Sequence, residues 1–221
     1  MSQEIIFRHA SVYLSNVFFI GEDADLKELR FAAWAPHILT EKNYKETLMK
    51  QKVLISDSLD GTVQYDLRTG LWSVAAGTID KLRHTASAVH SPCCNYRETG
   101  SGLLSIAAAD TPTYKITDRG IEEAKVREEK NHHRRCILFG VDVFLSPGNF
   151  LKTHTAKVRV GNMCGSSALG LMLIATGDNH IFYQPEQRVW DWASCKLLVE
   201  RAGGYVLFYE ITREDEQSLH V

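Results

Sequence analysis

Residues 52–56, Lys-Val-Leu-Ile-Ser, form a short apolar run that breaks off at Asp57-Ser58-Leu59-Asp60-Gly61-Thr62. A run of this length and branching predicts a buried strand, and the acidic stretch after it predicts a tight turn at a sheet edge. Two carboxylates are thereby tied to rigid backbone, and the rest of the chain has to pack around them. Upstream, segment 4–19 (EIIFRHASVYLSNVFF) reads as a helix running into a strand that ends at Ile20. Residues 22–50 are charged, with helical stretches broken around Pro36. Residues 71–90 read as strands, followed by a turn cluster around Pro92, Gly100 and Gly102.

The second half has a different rhythm. The charged segment 121–135 predicts a solvated helix leading to a strand from Cys136 to Phe144. Past Pro147 strands and helices alternate: 158–160, then Gly165-Ser166-Ser167 opening a helix through Ala175, then 181–183. A last helix runs from about Asp191 to Ala202 and is closed by Gly203-Gly204, a pair suited to a left-handed helix stop. This alternation predicts a layered mixed α/β fold. The expected organisation is an α+β half over residues 1–120 carrying the acidic turn and an α/β half over 121–221, together one domain.

Charge and cysteines exclude several classes. The chain has 221 residues with 25 Lys+Arg against 27 Asp+Glu, a net charge of −2. So near a balance lacks the grip that non-specific nucleic-acid binding requires. No stretch approaches the ~18 apolar residues of a membrane span. The N-terminal residues lack the basic leader and apolar run of a secretory signal. Five cysteines without C-x-x-C spacing argue against a disulfide scaffold and a zinc ribbon. The expectation is a reduced, cytoplasmic protein. His132-His133-Arg134-Arg135 reads as a solvated face, because adjacent side chains point apart and acids precede them.

Three acidic sites follow apolar runs or begin a helix. Glu22 ends the run Val17-Phe18-Phe19-Ile20-Gly21, Asp57 and Asp60 end the strand at Ile55, and Asp191 lies between Trp190 and Trp192. Residues three apart in a tight turn can aim both carboxylates at one point, with the Leu59 carbonyl joining them. Oxygen-only donors of this kind suit Mg²⁺. Gly61-Thr62 and Gly165-Ser166-Ser167 each offer a helix start whose free N–H groups attract phosphate. The combination suggests metal-assisted phosphate chemistry. Taken singly, Asp57 or Asp60 is most often a turn or cap residue and Asp191 an N-cap.

At these residues the chain resembles the inositol monophosphatase family of Mg²⁺-dependent phosphatases. The family's aspartate-x-x-aspartate-glycine-threonine turn stands as Asp57-Ser58-Leu59-Asp60-Gly61-Thr62. Its Trp-Asp pair opening a helix that ends in Ala-Gly-Gly stands as Trp190-Asp191 through Ala202-Gly203-Gly204. Gly165-Ser166-Ser167-Ala168-Leu169 is similar to its glycine-rich helix, and Gly21-Glu22 to its glycine-glutamate motif. All four occur in family order. The resemblance implies an αβαβα sandwich of the inositol monophosphatase and fructose-1,6-bisphosphatase type.

It also implies roles. Glu22, Asp57, Asp60 and Asp191, with the Leu59 carbonyl, would hold Mg²⁺. Gly61 and Thr62 would bind the phosphate, and the Thr62 hydroxyl would orient the attacking water. Glu22 and Asp57 would join Thr62 in catalysis. Asp60, Asp191, Gly165, Ser166, Ser167 and Gln184 would complete the substrate pocket. Gln184 stands where inositol-specific members carry a glutamate, and His180 where relatives usually have an aspartate. The expected partner is a small phosphorylated metabolite, with no nucleic acid or membrane and with a homodimer by analogy. The implied reaction is hydrolysis of a phosphate monoester of an inositol, sugar or nucleotide. The resemblance further implies a helix, a lysine-bearing loop and a threonine-x-x-aspartate motif before the segment matching Glu4–Phe19. Without them the expected activity is weak or absent. The alternative function is therefore a catalytically inactive phosphate-binding, metal-binding or dimerising module.

Overall fold

Almost unbroken burial along residues 53–60, on both faces of the strand, organises the main sheet. The computed structural model describes residues 2–14, 17–22, 44–94, 102–131, 135–140, 160–185 and 187–208. Helix α1 (Ser2–Tyr13) leads into β1 (Phe18–Gly21), and α2 (Tyr44–Lys50) precedes β2 (Lys52–Asp60). Strand β1 pairs parallel with β2, setting Gly21 beside Ser56. Five antiparallel strands follow: β3 (Ser73–Asp80), β4 (Arg83–Ser91), β5 (Leu103–Ala108), β6 (Tyr114–Thr117) and β7 (Gly120–Glu123). The seven stand in sequence order across the sheet.

Successive side chains of a strand point to opposite faces, and the packing shows it. Leu54 and Phe19 meet Phe7 of α1 on one face. Val53, Ile55 and Ile20 pack on the other with Leu48 of α2 and Trp190. Three further helices lie on that second side: α4 (Ser167–Ala175), α5 (Val189–Ala193) and α6 (Lys196–Arg201). Leu169, Met172 and Leu198 join Ala75, Val89 and Leu103 of the sheet in the largest core cluster. Beyond α4 sits a second, all-parallel sheet in the order β10 (Ile181–Tyr183), β8 (Cys136–Phe139), β9 (Val160–Met163). Leu138 faces the core under α4, whereas Ile137 and Phe139 face away. The described layers thus run helix, sheet, helix, sheet, as the layered reading expects. No helix among the described residues is long and apolar enough to cross a membrane.

Three local expectations are corrected. Strand β2 does not stop at Ser56 but continues through Asp57 to Asp60, because pairing with β3 persists to Asp60↔Ser73. The segment from residue 121 is no helix. It forms β7 and then irregular backbone, since Ile121–Glu123 pair with β6 and the Lys115–Glu122 ion pair spans the two strands at 2.9 Å. The last helix is broken in two at Ser194-Cys195. There the backbone is pulled against the sheet: Ser87 Oγ donates to the Ser194 carbonyl, and Ser194 Oγ donates back to Trp190 O at 3.1 Å. The Pro36 region, Gly100, His132, His133 and residues 141–159 lie outside the described residues.

Gly77 of β3 makes that approach possible, because a Cβ there would lie 2.8 Å from the Ser194 Cα. Both partners are backbone, so neither gives way easily. Gly77→Ala is expected to lower stability by about 1–3 kcal/mol, the usual cost of overpacking. Urea unfolding followed by circular dichroism measures it, and an unchanged midpoint would contradict the tight contact.

Candidate active site

The parallel pair β1–β2 places Glu22 beside Asp57. Glu22 directly follows Gly21, and Gly21 is in register with Ser56. Residues 53, 55 and 57 share a parity, so Asp57 points to the side occupied by α5. In an unbroken strand Asp60, three residues on, would point to the opposite side. The register breaks between Asp57 and Asp60. Such a bulge re-aims a side chain, and Asp60 accordingly reaches α4. Its Oδ2 accepts from Ser166 Oγ at 2.7 Å and from the Ala168 N–H at 2.5 Å.

Asp191 reaches the same region from α5. It is the third residue of that helix rather than its N-cap, and its Oδ2 accepts the Arg188 N–H at 2.7 Å. A helix-start acid in that position satisfies one orphan donor of the first turn.

The electrostatics tie the acids together. Asp57 is 2 % exposed, and burial pushes its carboxyl up to about 9, reinforced by the charges of Asp60, Glu22 and Asp191. Its Oδ1 accepts the Leu59 N–H at 3.1 Å, which works the other way. Burial raises Asp191 to about 7, helped by Asp60 and Glu22 and opposed by the Arg188 N–H and guanidinium. Asp60 is raised by burial against the stabilising bonds from Ser166, Ala168 and Ser167. Each carboxylate makes ionisation of its neighbours harder, so the group calls for added positive charge. Among the described residues no three acid, histidine or cysteine side chains close into a finished metal cage. The donor chemistry nonetheless fits a hard cation: several oxygens and concentrated negative charge around Asp57.

Helix α3 (Thr62–Asp66) begins directly after the acids. Gly61 precedes it with φ +91°, a conformation that favours glycine. A Cβ there would also meet Ser166 Cβ at 3.1 Å and Gly165 O at 3.2 Å, so the starts of α3 and α4 adjoin. Thr62 is exposed, and its hydroxyl donates to Leu59 O at 3.2 Å. The two helix starts differ, which corrects one expectation. At α4, Asp60 takes the N–H of Ser167 and Ala168 while Ser166 Oγ takes that of Leu169 at 3.1 Å. Ser166 and Ser167 are buried in this network, so the α4 turn already holds an anion of its own. Gly165 is half-buried, with Gln64 of α3 packed where its Cβ would be. Gln184 packs against Gly140. His180 Nδ1 accepts the Cys136 N–H at 3.1 Å, joining β10 to β8.

Two participants lie outside the sequence motifs. Arg188 is recognisable in retrospect as the position three before a helix-start acid. Ser73, at the head of β3, lies 2.8 Å from Ser166 through the two hydroxyls and carries no such signal. All five cysteines are free thiols, and Cys195 is fully buried with burial raising its thiol.

Comparison with known proteins agrees with the fold and the family resemblance. A family model described as the inositol monophosphatase family matches residues 3–218. "Inositol monophosphatase 3" of Solanum lycopersicum is 27% identical over 205 residues, covering 92% of this chain and 69% of that protein. Mycobacterium tuberculosis SuhB superposes with a TM-score of 0.71 at 18% identity, over 92% of this chain and 71% of the other. SaIMPase-II with inositol monophosphate bound gives 0.69 at 17% identity, over 91% of this chain and 67% of the other.

Proposed function

The chain belongs to the inositol monophosphatase family and is a phosphatase of that type, and from that premise we propose that it hydrolyses a small phosphate monoester with Mg²⁺. The observation that carries the proposal is the convergence of acids from three separate elements, with Asp57 under the charges of Glu22, Asp60 and Asp191. Glu22, Asp57, Asp60, Asp191 and the Leu59 carbonyl would hold the cation. When bound, a divalent ion supplies charge neutralisation and a lowered pKa for water.

The chain's own residues do the rest. Gly61 and Thr62 present the first N–H groups of α3, which lack partners within the helix and suit a phosphate oxygen. The exposed Thr62 hydroxyl, held by Leu59 O, stands beside the acids to orient a water. The packed core under β2 keeps Asp57 and Asp60 rigid, so the positioning cost is met in folding rather than during reaction. The proposed substrate is a phosphorylated metabolite of the size of an inositol phosphate, the ligand named for SaIMPase-II.

Phosphate release from a panel of monoesters, with and without Mg²⁺, tests this beside calorimetry with Mg²⁺ and inorganic phosphate. Mg²⁺-dependent release is expected. Binding of both ions without turnover would instead establish a non-catalytic binding module.

A further inference from the structure

Behind Asp60 two fully buried hydroxyls stand in line. Ser73 Oγ lies 2.8 Å from Ser166 Oγ, and both residues are 0 % exposed. Ser166 Oγ accepts the Leu169 N–H and donates to Asp60 Oδ2. A hydroxyl has one proton to give and two lone pairs to fill. Ser166 gives its proton to Asp60, so it receives one from Ser73, and the polarity Ser73→Ser166→Asp60 follows. Asp60 Oδ2 meanwhile collects the Ser166 hydroxyl and the Ala168 N–H, and the carboxylate also takes the Ser167 N–H, so three of its four acceptor sites are filled.

We propose that Ser73 is a positioning residue that acts through Ser166 to hold Asp60 Oδ2 against the first turn of α4, leaving the carboxylate's remaining acceptor site for the cation. This rests on the cation reading above. With Ser73 in place, the Ser166 rotor has one orientation that satisfies every neighbour. Without it, one lone pair of Ser166 is empty in a dry site, and the hydroxyl is no longer held to a single direction. Buried polar chains of this kind are specific only when every member is satisfied. Ser73 comes from β3, a strand that supplies none of the proposed cation ligands, so its effect reaches the cation only by way of Asp60.

Mg²⁺ titrated calorimetrically into the full chain is the test. Ser73→Ala is expected to weaken Mg²⁺ binding about 3- to 10-fold, at or below the range for residues behind a metal ligand. Ser73→Thr, which keeps the donor, should recover most of the loss. Thr113→Val removes a comparably buried hydroxyl bonded to Leu198 O at 2.7 Å and should leave Mg²⁺ affinity unchanged. Where Ser73→Ala fails to fold, Ser73→Cys, nearly the same shape with a far weaker donor, takes its place and should show the same weakening. Wild-type affinity in the folded Ser73 variant overturns the proposal, as does an equal loss in Thr113→Val.

Asp57→Asn separates the two levels of the claim. It should remove Mg²⁺ binding whatever Ser73 does. If wild type itself binds no Mg²⁺, the cation reading fails and the relay is decided without metal. The melting midpoints of Ser73→Ala, Asp60→Asn and the double variant then form a cycle. A double loss smaller than the sum supports the relay, and strict additivity refutes it.

Discussion

Asp57→Asn is expected to cut Mg²⁺-dependent phosphate release by more than about a hundredfold, exceeding the loss typical of residues one shell further from a metal. The same variant should melt, free of metal, at the wild-type temperature or above it. Both effects have one cause. The wild-type carboxyl is 2 % exposed and under repulsion from three other acids. The amide keeps the shape and an acceptor for the Leu59 N–H and has no proton to lose, so it escapes the cost that ionising the buried carboxyl imposes as pH rises. Gains of stability on disarming a strained site are a familiar trade-off. Assaying turnover and melting on the same preparation checks the pair. Activity near wild type would remove Asp57 from the site, and a collapsed melting point would mark it as structural.

The metal-free protein is expected to lose stability as pH rises from about 4 to 9. The sign follows from the directions of the shifts. Asp57 and Asp191 are raised from 3.8 to about 9 and about 7, so through that window the folded chain holds protons that the unfolded chain has released. Fewer protons on the unfolded state means that stability falls with rising pH, by about 1.4 kcal/mol per unit for each proton held. The contribution is fully present below the unfolded value of 3.8 and gone above about 9. Mg²⁺ should reverse the trend, because a cation binds the ionised carboxylates and displaces their protons. Melting curves therefore should show a larger Mg²⁺-induced rise at about pH 8.5 than at about pH 5.5, in line with a ligand that binds only the folded state. Repeating them on Asp57→Asn isolates the share of that residue. A wild-type curve parallel to that of the variant would refute the assigned shift.

Much of the site was legible before any coordinates because its chemistry is written in short, local strings. Asp57-x-x-Asp60-Gly61-Thr62 and Trp190-Asp191 each carry residue type and spacing together. What brings them into one place is less local. The turn expected at Asp57 is instead a bulge within β2, and a bulge depends on how the partner strand pairs, which no run of side chains announces. The split of the last helix likewise comes from Ser87, a residue of a strand more than a hundred positions earlier. Ser73 is the extreme case. A single serine ahead of an apolar strand is unremarkable until folding sets Ser166 next to it. The segment from residue 121 was misread for another reason: its charges fit a solvated helix and a solvated strand equally well, and only pairing with β6 decides between them.

The outermost strand of the large sheet bears on how the protein behaves in a crowd. All four residues of β7 are exposed and no further strand among the described residues pairs beyond it; an unpaired row of peptide groups is a template on which a neighbouring molecule could lengthen the sheet. Glu122 and Glu123 stand on that strand in ion pairs with Lys115 and Lys125, so a second copy approaching edge to edge meets hydrated charged side chains rather than an apolar row. The charges that spoil the helix reading are thus of the kind that discourages one sheet from extending into the next.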